Sequence, residues 1–196
     1  MTAIVTGGTS GLGLEIASLL RARGTRVIAV SRRDGGDASK RETALRAIEE
    51  AGDVDLLVNC AGVGIYGAVG SYDDEAIART IDANLVATIM FCELLAPRFM
   101  RDGGTIVNVL STAALVGKPN ETIYCAAKWG ARGYTEALRA EAKGTKLRVI
   151  SAAPGGMNTP FWPEKRENFM DPKDVAAVIV DAIDRRVNVS ELVITR

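Results

Sequence analysis

The sequence predicts an α/β fold, one doubly wound domain across residues 1–196 with a mostly parallel sheet and helices on both faces. Three observations carry that expectation. Short apolar, β-branched runs alternate with helix-period patterns along the whole chain. Runs such as 54–59 are nearly all apolar, as in parallel strands buried on both faces. The first run breaks at a glycine-rich loop that leads directly into a helix.

Length and composition fit a soluble globular protein with a sizeable core: 196 residues, 47% hydrophobic and 24% charged. Basic and acidic side chains balance, 24 against 24, so neither nucleic acid nor an anionic membrane surface is expected as a partner. No apolar run reaches transmembrane length, and the N-terminus lacks a signal-peptide pattern. The three cysteines are odd in number and lack metal-ligand spacing, which suits reduced thiols, a cytoplasmic location and no metal site. There is no histidine, which removes a Ser-His-Asp triad, a His base and His-ligated metals. Acid/base chemistry then falls to Tyr, Lys, Asp or Glu.

Residues 2–6 form the first strand and end in Gly7-Gly8-Thr9-Ser10-Gly11-Leu12-Gly13. Leu12, Ile16, Leu19 and Leu20 then fall at helical spacing up to a C-capping Gly24. In this context glycines allow close backbone approach, and the helix start offers free N–H groups, so the loop is a candidate phosphate site. Its spacing, G-x-x-x-G-x-G, is not the usual G-x-G-x-x-G, and a glycine turn that packs the helix on the sheet would look similar. A second strand over 26–31 ends in Ser31-Arg32-Arg33. An acid here would accept from a ribose 2′-hydroxyl, whereas arginine pairs with a 2′-phosphate. NADP(H) is therefore favoured over NAD(H), with a pair of solvated arginines as the plainer reading.

Only one helix fits before the next strand, so a third strand must be very short, around 36–38. Ser39 and Glu42 make a capping box for that helix, which carries Leu45 and Ile48. Strand 54–59 runs into Asn59-Cys60-Ala61-Gly62. Ser71 and Asp74 open a long helix with Ile77, Ile81, Leu85 and Ile89 in register, kinked or ended at Pro97. Asn84 inside it needs a partner or a task. Strand 105–110 delivers Ser111 to its carboxyl end, where open α/β sheets bind ligands.

Helix 122–143 places Tyr124 and Lys128 on one face. Lys128 would favour the phenolate and lower the tyrosine pKa from about 10, although such a pair alone is as well explained by amphipathic packing. Gly130 and Gly133 in the same helix imply close approach of another backbone. Strand 147–153, sixth in this count, leads to Pro154-Gly155-Gly156-Met157-Asn158-Thr159-Pro160 and a segment tipped by Phe161, Trp162 and Phe169. Asp171 caps the last helix, with Pro172 at its first position and Val175, Val178, Ile179 and Ala182 buried. Residues 191–195 close the sheet.

As an ordered set these motifs resemble the short-chain dehydrogenase/reductase family: Thr6-Gly7-x-x-x-Gly11-x-Gly13, Asn59-Cys60-Ala61-Gly62, Asn84, Ser111, Tyr124-x-x-x-Lys128 and Pro154-Gly155-x-x-x-Thr159. The resemblance covers nearly the whole chain and implies a Rossmann-type domain. Three features depart from it. The region after the second strand is shortened, Cys60 replaces an asparagine, and the segment between Gly156 and Pro172 is short. The last leaves the substrate open and implies a permissive pocket.

The resemblance implies hydride transfer between a nicotinamide and a carbonyl or alcohol carbon of a small substrate. Tyr124 would be the proton donor or acceptor, Lys128 would tune it and hold the nicotinamide ribose, and Ser111 would hold the substrate oxygen. Asn84 would bind a water linking Lys128 to solvent. Gly7, Ser10, Gly11, Leu12 and Gly13 would take the pyrophosphate and ribose region, and Arg32 the 2′-phosphate. Asp37 would take the adenine amine, Asn59, Ala61 and Gly62 the adenosine side, and Pro154, Gly155 and Thr159 the nicotinamide amide. The competing reading is a non-catalytic NADP(H) sensor or scaffold. A homodimer or homotetramer through the helices from Ser71 and Thr122 is expected by the same resemblance, while intrachain packing explains Gly130 and Gly133 equally.

Overall fold

Alternate residues of the first strand, β1 (Thr2–Thr6), supply two different cores, Ile4 to one and Ala3 and Val5 to the other. In the computed structural model, which describes residues 1–161 and 164–196, the same division runs through β3 (Leu56–Asn59), β4 (Gly104–Val109) and β5 (Leu147–Pro154). With β2 (Arg26–Val30) and β6 (Glu191–Ile194) at the edges, six parallel strands pair in the order β2-β1-β3-β4-β5-β6. Helices α1 (Gly11–Ala22) and α6 (Pro172–Asp184) cover the face of Ala3 and Val5. Helices α2 (Arg41–Ala51), α4 (Ala87–Asp102) and α5 (Thr122–Glu141) cover the face of Ile4, with Phe91, Leu95 and Phe99 of α4 at its centre. This is the expected single doubly wound domain. Because β1 leads one way to β2 and its other neighbour is β3, the chain reverses direction at the carboxyl ends of β1 and β3, where a crevice opens.

Local chemistry explains the elements. Gly24, at φ +80°, turns the chain after α1, and Asp171 accepts from Lys173 N at 2.8 Å to start α6. Helix α3 (Asp74–Ile81) is capped by Asp73, which accepts from Ala76 N at 2.7 Å, not by Ser71, whose hydroxyl donates to Ala68 O. Helix α2 begins at Lys40 with no side-chain cap, because the Ser39 hydroxyl donates instead to Asp37 Oδ1 at 2.8 Å. No strand forms around 36–38; a short 3-10 turn (Arg32–Asp34) makes the connection, so β5 is the fifth strand and not the sixth. Helix α4 continues through Pro97 to Asp102.

Periodicity misjudged some faces. Leu45 and Val178 are exposed, while Thr43, Ala44, Ala47 and Ala51 bury α2 and Val180 and Ile183 join the buried face of α6. Between α3 and α4 lies a π-helical turn (Asp82–Val86), so one helix runs from Asp74 to Asp102. Contrary to expectation, it is long and apolar enough to span a membrane, with a hydropathy of 1.3; here its apolar side chains build the core. Trp162, expected in the segment after β5, lies outside the described residues.

A buried polar chain ties β3, β4 and α5 together. Asn59 Nδ2 donates to Asn108 Oδ1 at 2.9 Å, and Asn108 Nδ2 donates to Thr135 Oγ1 at 2.9 Å. Thr135 donates onward to Ala131 O within α5 at 2.7 Å, so the Asn108 bond fixes α5 against the sheet through a fully partnered hydroxyl. Thr135→Val keeps the shape but strands the Asn108 amide, so it is expected to cost about 1–3 kcal/mol in urea unfolding.

Candidate active site

The crevice is built by backbone that only glycine can supply. Thr6 Oγ1 accepts from the N–H groups of Cys60 and Ala61, both at 3.1 Å, and joins the end of β1 to the loop after β3. Gly7, at φ +68°, lies against that loop; a Cβ there would come 2.9 Å from Cys60 O. A Cβ at Gly13 would come 2.3 Å from Gly7 O, so the first turn of α1 folds onto the loop itself. Ser10 is the α1 N-cap, yet its side chain makes no capping bond.

These residues line one end of a cleft of about 390 Å³. Its walls contain Gly7, Ser10, Gly11, Leu12, Gly13, Arg32, Ala61, Gly62, Asn84, Ser111, Tyr124, Lys128, Pro154, Gly155 and Thr159. An adjoining hollow of about 200 Å³ shares Gly7, Ser10 and Arg32 and adds Asp37. Asn59 is the exception. Its side chain is buried in the polar chain between β3 and β4, so any role at the cleft falls to its backbone. Asp37 reaches the hollow with Oδ1 already accepting from Ser39 N and Oγ.

At the other end Ser111 starts a short turn (Thr112–Ala114), accepting from Ala113 N at 3.1 Å, and its hydroxyl also hydrogen-bonds Tyr124. Tyr124 is 7% exposed. Burial pushes its pKa up, and the Ser111 bond opposes this only in part. The expected lowering is therefore absent in the free chain: desolvation of the phenolate sets the direction, and the Lys128 Nζ stands 5.8 Å from the ring centre. Lys128 is 5% exposed, and burial pulls its pKa down to about 8. Its Nζ donates to Val109 O at 3.1 Å; among the described residues the ammonium's other two N–H groups find no partner.

Asn84, in the π-turn, donates from Nδ2 to Val63 O at 2.8 Å and to Thr80 O at 2.9 Å. Its Oδ1 is buried with no partner. This acceptor and Lys128 Nζ converge: a Cβ on Gly62 would lie 2.7 Å from the one and 3.9 Å from the other. The loop after β5 closes over the top, where a Cβ on Gly11 would come 3.2 Å from Thr159 Cβ.

The short chain dehydrogenase family profile matches residues 34–169, and a KR domain profile matches residues 1–57. A sepiapterin reductase of Chlorobaculum tepidum is 31% identical over 91% of this chain and 76% of its own. The chain belongs to the short-chain dehydrogenase/reductase family. A short-chain dehydrogenase/reductase from Vibrio parahaemolyticus shares the structure with a TM-score of 0.88 at 30% identity, over 99% of both chains. A short chain dehydrogenase from Burkholderia cenocepacia, solved in complex with NADP, has a TM-score of 0.89 at 29% identity, over 100% of this chain and 88% of its own. As a family member the chain is an oxidoreductase on a nucleotide-binding Rossmann fold. Its residues fit a nicotinamide dinucleotide: a cradle that a Cβ would fill, an ammonium with donors to offer, and an orphaned buried acceptor beside it.

The cleft also holds residues the sequence reading gave no role: Tyr66, Phe161, Lys118 and Glu121. Glu121 sits one residue before α5 and three before Tyr124, a spacing that would have marked it; nothing local marks Tyr66. Within this chain Gly130 and Gly133 do not receive another backbone. A Cβ at Gly130 would meet only the Leu85 side chain, and at Gly133 nothing within 4 Å.

Lys128 makes a signed prediction. The unfolded side chain keeps its proton up to its ordinary pKa of 10.5, whereas the folded one releases it near 8. Between these values the unfolded state binds more protons, so stability rises with pH, and below the window the full burial cost applies. Lys128→Met is expected to exceed the wild type in stability at pH 7, with the gap narrowing by pH 10 in urea unfolding.

Proposed function

We propose that this protein is an NADP(H)-dependent oxidoreductase acting on the carbonyl or alcohol carbon of a small substrate. One observation carries the reading: the Tyr124 and Ser111 hydroxyls and the Lys128 amine face one cleft whose far end is a glycine loop at a helix start. A bound nicotinamide supplies or accepts the hydride. Tyr124 gives its proton to the substrate oxygen in reduction and takes it back in oxidation. Ser111 hydrogen-bonds the same oxygen as charge grows there. Burial makes Tyr124 a reluctant acid by itself, so the charge on Lys128 is needed to hold the phenolate that forms. The two remaining Lys128 donors would hold ribose hydroxyls, and Asn84 Oδ1 a water that returns the proton.

Gly7, Ser10, Gly11, Leu12 and Gly13 would hold the pyrophosphate region, where α1 presents its N–H groups. Arg32, exposed at the mouth, would take the 2′-phosphate; the NADP in the Burkholderia relative supports this choice. Asp37 would use its remaining oxygen on the adenine amine. Ala61, Gly62 and the Asn59 backbone would line the adenosine side, and Pro154, Gly155 and Thr159 the nicotinamide amide.

The test is NADPH oxidation across a panel of ketones and aldehydes. Tyr124→Phe is expected to lower kcat/KM by about 100-fold or more. If the wild type oxidises no NADPH, or the variant equals it, the sensor reading takes over. NADPH should bind more tightly than NADH, and Arg32→Asp should erase the difference.

Self-association and location complete the proposal. Trp129 is 50% exposed on the outer face of α5, one turn from the open Gly133, which supports a homodimer or homotetramer through α5 and the α3–α4 run. Trp129→Glu is expected to shift the mass seen by light scattering to that of a monomer. Three unpaired thiols support a cytoplasmic setting.

A further inference from the structure

Three aromatic rings meet at the substrate end of the cleft, in a chain with only four tyrosines and four phenylalanines. Tyr66, on the loop after β3, stands edge-on to Tyr124, with centroids 5.6 Å apart and planes at 82°. Phe161, after β5, completes the triangle at 6.2 Å from Tyr66 and 6.0 Å from Tyr124. The Phe161 ring lies where position 64 has no side chain. A Cβ on Gly64 would come 2.4 Å from that ring and 2.7 Å from Tyr66 Oη. A slot over the Gly64 backbone is thus lined by two phenol rings that touch edge to face, and the Phe161 ring packs into the corner they make.

Besides the buried Lys128, assigned above to the ribose and the phenolate, the charged groups at this end offset each other. Lys118 and Glu121 both line the cleft, and Lys118 Nζ donates to Thr112 Oγ1 at 2.9 Å. One cation and one anion side by side select neither charge on a substrate.

We infer that the preferred substrate is a neutral carbonyl compound, or the corresponding alcohol, with a flat aromatic ring attached to the reacting carbon, and that Tyr66 and Phe161 determine this specificity. The inference rests on the proposed oxidoreductase activity and adds its substrate class. A carbonyl oxygen at the Ser111 and Tyr124 hydroxyls puts the group on the carbonyl carbon beside the slot. A flat ring there packs against Tyr66 in the corner that Phe161 now occupies at a 59° tilt, an aromatic contact favoured beyond the area it buries. A puckered saturated ring is thicker and lacks the ring quadrupole. In reduction the carbonyl carbon gains hydride from NADPH and its oxygen gains the Tyr124 proton, giving a secondary alcohol and NADP⁺.

Acetophenone and cyclohexyl methyl ketone, equal in carbon count, test this. Conjugation makes the aryl ketone the weaker electrophile, so a preference for it must come from the protein. Wild-type kcat/KM with NADPH is expected to favour acetophenone by about fivefold or more. Tyr66→Leu should collapse that ratio toward one, and Phe161→Ala, on a surface segment, should change it if Tyr66→Leu fails to fold. Reduction of both ketones at equal efficiency overturns the inference and leaves the oxidoreductase reading standing. If neither ketone is reduced, saturation-transfer NMR with NADP⁺ present decides. Transfer to the aryl ring that weakens in Tyr66→Leu upholds the slot while the activity reading falls; no transfer, or equal transfer to both ketones, overturns the slot.

Discussion

Lys128 Nζ reaches 3.1 Å to the carbonyl oxygen of Val109, and that bond fixes the distance between α5 and the end of β4. A nearly solvent-free amine needs an acceptor, and the last carbonyl of a parallel strand is one the sheet does not fully occupy. Once Lys128 is pinned there, Tyr124 one turn earlier on α5 must face the Ser111 that follows β4. The polar chain through Asn59, Asn108 and Thr135 holds the same two elements two turns further along. Position at the cleft is therefore a property of the β4–α5 seam as a whole.

The fold was legible because each strand is short, apolar and bounded by turn chemistry, so alternation alone orders the elements. Legibility failed where side chains had two plausible tasks. Ser39 and Ser71 look like helix caps, but a turn claims each hydroxyl first, and helices start at residues the pattern passes over. Val178 looked buried because it is apolar, yet it is half-exposed on α6, and on α2 it is the small Thr43, Ala44, Ala47 and Ala51 that are buried, with Ile48 packed beside them.

The site was legible as a set of motifs and illegible as an environment. Residues 6 to 159 announce a glycine loop, a serine, a tyrosine and a lysine, and the cleft gathers them. Spacing cannot say that Tyr124 is dry enough for burial to raise its pKa, nor that Asn59 turns inward and away from the cleft. Both depend on which elements cover a residue in space. Tyr66 and Phe161, some ninety-five positions apart, become neighbours only because the loops after β3 and β5 rise from the same carboxyl end of the parallel strands.

The π-turn at Asp82–Val86 has a bearing on how this chain can change over time. One extra residue there offsets the angular register of everything before it by about 100° relative to an uninterrupted α-helix. Substitutions on either side leave that offset intact, but a single deletion would cancel it and rotate α3 against α4. Asn84 would leave Lys128, and the half-exposed row of Ile77, Ile81 and Leu85 would face a different direction. The turn therefore couples the meeting of Asn84 and Lys128 to the outer helical surface, so that drift by insertion or deletion is barred where drift by substitution remains open.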